Sequence, residues 1–273
     1  MRRGISKVAR ITVPASWPAA PWTWALAGVL PGVLAAVVLF APAHWLAGWI
    51  ERASGGRVLL GDARGTVWNG SAQLLLAGGA GSSDAVALPT RLDWRLRPAL
   101  AGIDAQLSSP CCTSAAPLAV QARWRRAGAS VSLSDAPSQW PAALLAGLGT
   151  PWNTLQIDGD LQLSTQGLSV EWTEGRLAIA GRAELQAQRL SSRLSTLRPM
   201  GSYRITLLGG ATPTLQLQTL EGSLQLSGTG QWAGSRFRFN GEASASPERE
   251  AALSNLLNII GRRSGARSII TIG

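Results

Sequence analysis

From Arg57 onward, apolar side chains recur at every second position, the period of an extended strand with one buried face. Leu92, Trp94 and Leu96 alternate with Asp93 and Arg95. Leu118, Val120, Ala122 and Trp124 do the same, and Val131 and Leu133 follow the Ala127-Gly128 turn. Later come Leu168, Val170 and Trp172, then Leu177, Ile179, Gly181, Ala183 and Leu185, then Tyr203, Ile205 and Leu207. The residues between them are mainly Gln, Ser, Thr and Arg, so each strand has a dry face and a wet one. A parallel sheet buried on both faces would read as continuous apolar runs, so the pattern predicts an antiparallel sheet with one solvated side. Asn69-Gly70, Asp158-Gly159, Glu174-Gly175, Glu221-Gly222 and Asn240-Gly241 mark tight turns, because glycine supplies the positive φ that hairpins require.

Two helical interruptions are expected. One runs from Pro141 to Leu148 after Ser138-Gln139-Trp140. The stronger runs from Pro247 to Arg263, with Ser246 as N-cap, Pro247 in the first turn, and Glu248 and Glu250 at the positive helix end. Leu253, Leu256, Leu257 and Ile260 make its apolar stripe, and Gly261 ends it. Ser268–Ile272 reads as a last short strand. Ile157-Asp-Gly-Asp-Leu-Gln-Leu-Ser164 also matches Leu220-Glu-Gly-Ser-Leu-Gln-Leu-Ser227, and each copy is followed by a tryptophan, Trp172 or Trp232. The fold class expected is therefore all-β: a large curved, mainly antiparallel sheet built from repeated hairpins, with one or two short helices.

The beginning of the chain is different. Residues 1–24 carry Arg2, Arg3, Lys7 and Arg10 and no acid. Residues 25–43 carry no charge, and as a helix they would cover about 28 Å, close to the thickness of a bilayer core. Trp17, Trp22 and Trp24 lie on one side of this run and Trp45 and Trp49 on the other, where interfacial aromatics belong. The expected organisation is a basic cytoplasmic tail (1–24), one N-terminal transmembrane helix (25–43) containing Pro31, a juxtamembrane segment (44–56) and an external β-rich domain (57–273). A cleaved signal peptide is the alternative, with Ala41-Pro42-Ala43 as a small-x-small site. The four charges of the tail leave 21 basic and 15 acidic residues for the rest of the chain, so part of the net +10 is a topology signal.

Chemistry is sparsely provisioned. One histidine and two adjacent cysteines are too few for most dedicated metal sites, and they leave little for a Ser-His-Asp or Cys-His centre. The acids are mostly scattered singles (Asp62, Asp84, Asp93, Asp104, Asp135), and Asp158 and Asp160 read as turn solvation. No glycine-rich phosphate loop or Gly-x-Ser-x-Gly elbow stands between a strand and a helix. No enzyme activity, cofactor or metal is expected. Cys111-Cys112 is either a vicinal disulfide, a pair of free thiols or a source of intermolecular bridging.

Two surface features remain. Arg91, Arg95 and Arg97 share one strand face, Arg236 and Arg238 another, and Arg123, Arg125 and Arg126 cluster nearby. They suit an acidic partner or anionic lipid headgroups, or form a plain solvated face. Nucleic acid is disfavoured, because few aromatics share the Arg-bearing faces. Trp94, Trp124, Trp172 and Trp232 sit on strand patterns, as core residues or as the lining of an apolar groove.

Three stretches together resemble the type II secretion system protein N family. They are Leu60-Gly-Asp-Ala-Arg-Gly-Thr-Val-Trp-Asn-Gly-Ser-Ala72, then Gly201-Ser-Tyr-Arg-Ile205 leading to Leu220-Glu-Gly-Ser-Leu-Gln-Leu-Ser-Gly-Thr-Gly-Gln-Trp232, and finally Asn255-Leu-Leu-Asn-Ile-Ile-Gly-Arg-Arg-Ser-Gly-Ala-Arg-Ser-Ile-Ile-Thr-Ile-Gly273. The resemblance implies a non-catalytic, single-pass inner-membrane subunit of Gram-negative bacteria, N-terminus cytoplasmic and β domain periplasmic. It would work with other secretion subunits in exporting folded proteins. The Gly-Thr-Val-Trp-Asn-Gly hairpin is also similar, more faintly, to AsmA-like envelope proteins associated with lipid handling.

Overall fold

A computed structural model describes residues 22–82, 84–113, 116–233 and 236–273. The basic tail and Trp17 lie outside the described residues. Contacts divide the chain after Phe40. In the first unit, helix α1 (Trp22–Leu39) contains Pro31. Leu30, Val33, Leu34, Val37, Leu39 and Phe40 are exposed around its circumference. No helix among the described residues is long and apolar enough to cross a membrane.

The second unit, Ala41–Gly273, is built on one sheet of sixteen strands in which every pairing is antiparallel. Helix α2 (Ala43–Ala53) precedes the hairpin β1 (Val58–Gly65) and β2 (Asn69–Ala77), and β3 (Ala85–Ala87) folds back onto β2. A meander follows: β4 (Leu92–Ala99), β5 (Gly102–Ser108), β6 (Leu118–Arg125) and β7 (Gly128–Leu133). After β8 (Ser138–Pro141), a 3-10 helix (Ala142–Leu148) and α3 (Trp152–Leu155), the chain enters two long strands, β9 (Ile157–Thr173) and β10 (Arg176–Ser192). Then come β11 (Gly201–Gly210), β12 (Thr214–Gly222), β13 (Leu224–Ala233) and β14 (Arg236–Ala245). A 3-10 turn and α4 (Glu250–Ile260) lead to β15 (Arg262–Ser264) and β16 (Arg267–Ile272), and β16 lies beside β14.

β9 changes partner along its length. Asp160–Leu163 pair with β8, whereas Ser169–Thr173 pair with β7. Between the two stretches the β9–β10 register slips by a bulge, with Gly167 at φ 56 and Gly181 at φ 82. A Cβ on Gly181 would run into the Gly167 backbone, so both the conformation and the close approach require glycine there.

The sheet is curled. The 3-10 helix Ala142–Leu148 packs against β2 and β3 on one side and β9 on the other, although four strands lie between β2 and β9. Across a flat sheet that separation would be about 24 Å, against about 14 Å for a helix of this length. The strands must bend around the helix, with the apolar face inside the curl. The main core lies there: Leu253, Leu256 and Leu257 of α4 meet Leu161, Ala187, Tyr203, Leu224 and Ala243 on successive strands. The Tyr203 hydroxyl donates to the Leu224 carbonyl at 3.1 Å, and burial pushes its pKa up.

Several sequence expectations need correction. Asn240-Gly241 makes no turn; it sits in the middle of β14, with Gly241 opposite Gly228. A Cβ on Gly241 would stand 2.7 Å from the Phe239 ring, and the same ring lies over Gly228. These glycines make room for an aromatic side chain that covers bare backbone. Asp158-Gly159 likewise lies within β9, at its second bulge. The C-terminal helix stops at Ile260 rather than Arg263, because Arg262–Ser264 pair with β16. Ser246 is positioned as the N-cap of the preceding turn but makes no side-chain cap bond; its amide donates to Ser223 instead. The segment read as juxtamembrane is largely α2, whose Ala43 and Leu46 pack with Ala72, Trp94 and Leu60.

Candidate functional site

Register assigns every strand residue to a face, because directly opposed residues share a side. Trp94 opposes Leu107, which opposes Leu118. Trp124 opposes Ala129, Ala129 opposes Trp172, and Trp172 opposes Leu177. Ala183, Leu207, Leu215 and Gly230 carry the same face across to Trp232 and Phe237. All four candidate tryptophans are therefore on the apolar face. Arg95, Arg97, Arg123, Arg125, Arg236 and Arg238 are on the other. Arg91 reaches that wet face through Ser71 and Asp62.

The seven arginines do not form one patch. β4 and β14 are nine positions apart in the strand order, so Arg236 and Arg238 sit on a different part of the sheet from the rest. Within the nearer group, Arg91 bridges to Asp62 at 2.8 Å and Arg123 to Asp104 at 2.5 Å. Arg64 and Arg91, both bonded to Asp62, hold its carboxyl below the usual range. Arg95, Arg97 and Arg125 make no ion pair among the described residues. They are the cations left for a partner.

A second charged group, which period-two patterning does not mark, lies on β10 and β11. Glu184 accepts from Gln186 at 2.8 Å and pairs with Arg182 at 2.7 Å and Arg204 at 3.0 Å. The Gln186 bond, and then the two arginines, hold its carboxyl below the usual range. A depressed folded-state pKa stabilises above the unfolded-state value and is lost as pH falls through the folded one. Glu184→Gln is therefore expected to lower stability at neutral pH and to flatten the loss between about pH 5 and 3, read from urea midpoints across that range. Parallel acid limbs in the two proteins would contradict this.

The tryptophans divide as well. Trp94 is only 3% exposed beneath α2, and its indole nitrogen donates to the Val67 carbonyl at 3.0 Å. It is core, separate from any open groove. Trp232 packs on Phe237 with ring centroids 4.3 Å apart. Trp124 and Trp172, brought within two strands of each other, are 52% and 49% exposed. Leu100, in the β4–β5 turn, is 98% exposed. Its signal in the sequence was an apolar residue where a turn residue belongs.

Cys111 and Cys112 form a disulfide within the loop after β5. Cys112 is buried with Leu88 and Leu144. Ser109 and Thr113 close the loop through a 2.8 Å bond from the Ser109 amide to the Thr113 hydroxyl, and the Cys112 carbonyl accepts from Gln139. The pair thus pins the loop beside β8. Among the described residues no three His, Cys, Asp or Glu side chains gather as metal ligands would.

The family model described as type II secretion system (T2SS), protein N matches residues 56–270. The chain belongs to the type II secretion system protein N family. The protein N match begins just before β1 and ends within β16, so it spans the sheet and leaves out α1 and α2. No curated protein and no solved structure matches the chain.

Proposed function

We propose that the chain is a non-catalytic accessory subunit of the type II secretion system, anchored in the inner membrane by the apolar run 25–40, since Ala41 and Ala43 are buried in the sheet unit. Its periplasmic sheet docks to other secretion components during the export of folded proteins across the outer membrane. The observation that carries this reading is the family match across the whole sheet. The uncharged run 25–43, exposed apolar residues around α1 and the basic tail support the anchor and its orientation. On the wet face, Arg95 and Arg97 are free to meet an acidic partner surface.

A photo-crosslinker placed at Gln106, beside Arg95 on the wet face, is expected to capture secretion subunits in intact cells. Arg95→Glu with Arg97→Glu should reduce those adducts several-fold without lowering the protein's abundance. Recovery of phospholipid alone, with no secretion subunit, would overturn the docking reading. That outcome would favour a lipid-guiding module like the AsmA proteins. One observation favours this second reading: Ile103, Val120, Val131, Leu207 and Leu215 on the inner face belong to none of the buried clusters.

A further inference from the structure

The two ends of the sheet differ in kind. The turns at Leu100-Ala101, Arg126-Ala127, Glu174-Gly175 and 211–213 all lie at one end. The longer connections, with the disulfide loop, the 3-10 helix, α3 and α4, lie at the other. The chain also enters this domain at the hairpin-turn end. The Ala41 carbonyl accepts from the Val67 amide at 2.8 Å, Pro42 bridges Thr66, and the Trp68 carbonyl accepts from Leu96. From that level the β4–β5 tip projects about four residues further, about 13 Å.

The projecting tips carry a particular chemistry. Leu100, Trp124 and Trp172 are exposed on three neighbouring hairpins, and the Trp124 amide donates to the Ala101 carbonyl at 2.8 Å. Arg125, Arg126 and Arg176 flank them on the same hairpins and make no ion pair among the described residues. Among the described turns at this end Glu174 is the one acid, with Glu171 further in. Tryptophan and leucine with unpaired arginine is the composition that partitions into the headgroup region of an anionic bilayer: the apolar groups enter the acyl boundary and the guanidinium groups bind phosphate.

We propose that this end of the sheet seats on the anionic lipid surface of the membrane, with Leu100, Trp124 and Trp172 inserted and Arg125, Arg126 and Arg176 on phosphates. The proposal rests on the reading that the chain is held at a membrane by the apolar run 25–40, and it adds a second point of attachment. The sheet then stands upright on the bilayer, with its long wet face turned toward soluble partners.

The test uses the full chain in liposomes of phosphatidylethanolamine and phosphatidylglycerol. An environment-sensitive fluorophore is attached at Leu100→Cys, and in a second protein at Ala251→Cys, exposed on α4 at the opposite end. The native cysteines are joined to each other, which leaves the introduced thiol for labelling. A lipid-borne spin label should quench the fluorophore at position 100 several-fold more than that at position 251. Arg125→Glu, Arg126→Glu and Arg176→Glu together should bring the two close. Equal weak quenching in protein that resists carbonate extraction overturns the proposal while leaving the anchor standing. Extraction by carbonate with strong quenching at position 100 does the reverse. Shielding of position 100 in native membranes but not in liposomes assigns the tips to a protein partner and also overturns the proposal.

Discussion

Replacing Leu257 by alanine is expected to remove about 3–5 kcal/mol of stability from the sheet domain. Leu257 is fully buried, as are Leu253 and nearly Leu256, and together they close the apolar face where the six strands β9 to β14 run side by side. The site has little room to relax. Its walls are rigid strands, and the Ser268 hydroxyl, itself fully buried, donates to the Leu257 carbonyl at 2.5 Å and fixes the helix to β16. A void would therefore persist, so the lost transfer energy and the cavity cost add. Since domains are stable by only about 5–15 kcal/mol, the variant should accumulate poorly at 37 °C. Urea unfolding of the solubilised protein, followed by tryptophan emission, measures the effect. Ile259→Ala on the outer side of α4, where Ile259 is 44% exposed, should shift the midpoint far less. Equal small shifts for the two variants would mean that α4 does not seal the core.

Period-two patterning was enough to read the strands and their faces, because the alternation of side chains is a local property of extended backbone. It placed Trp124, Trp172 and Trp232 on strands, and register then put them on one side of a single sheet. It could not reveal convergence. Arg97 and Arg238 look alike in sequence, yet their distance depends on how many strands lie between β4 and β14. The fate of Trp94 depended on α2, a helix whose apolar face is visible only once β1 and β2 are beneath it. Asn240-Gly241 misled because glycine has two uses in a sheet, positive φ in a turn and empty space under an aromatic ring. Only the cross-strand neighbours, Gly228 and the Phe239 ring, tell which applies.

Putting arginine at both Leu30 and Leu34 is expected to abolish stable membrane association. On insertion scales each arginine near the centre of a span costs about 2.5–3.5 kcal/mol, while each leucine it replaces contributes only about 0.5. The segment has little surplus, because Ala, Gly and Pro31 make up much of it and contribute little. Two arginines one helical turn apart exceed what the remaining valines and leucines supply, and neither is near enough to an end for its side chain to reach water easily. Carbonate extraction followed by immunoblotting reads the outcome: the wild-type chain stays in the pellet and the double variant moves to the supernatant. An intact mass that still includes residues 1–43 separates a retained anchor from a cleaved signal. Retention fits the way Ala41-Pro42-Ala43 is built into the sheet domain. Ala43 is 1% exposed against Ala72 and Trp94, and Ala41 bonds to Val67, so cleavage there would strip away packing that the folded domain uses. A wild-type chain that begins at His44 would end the anchor reading, and with it any need for arginine to displace the protein. A double variant that stays in the pellet with residues 1–43 intact would mean that the sheet domain holds the bilayer without the segment.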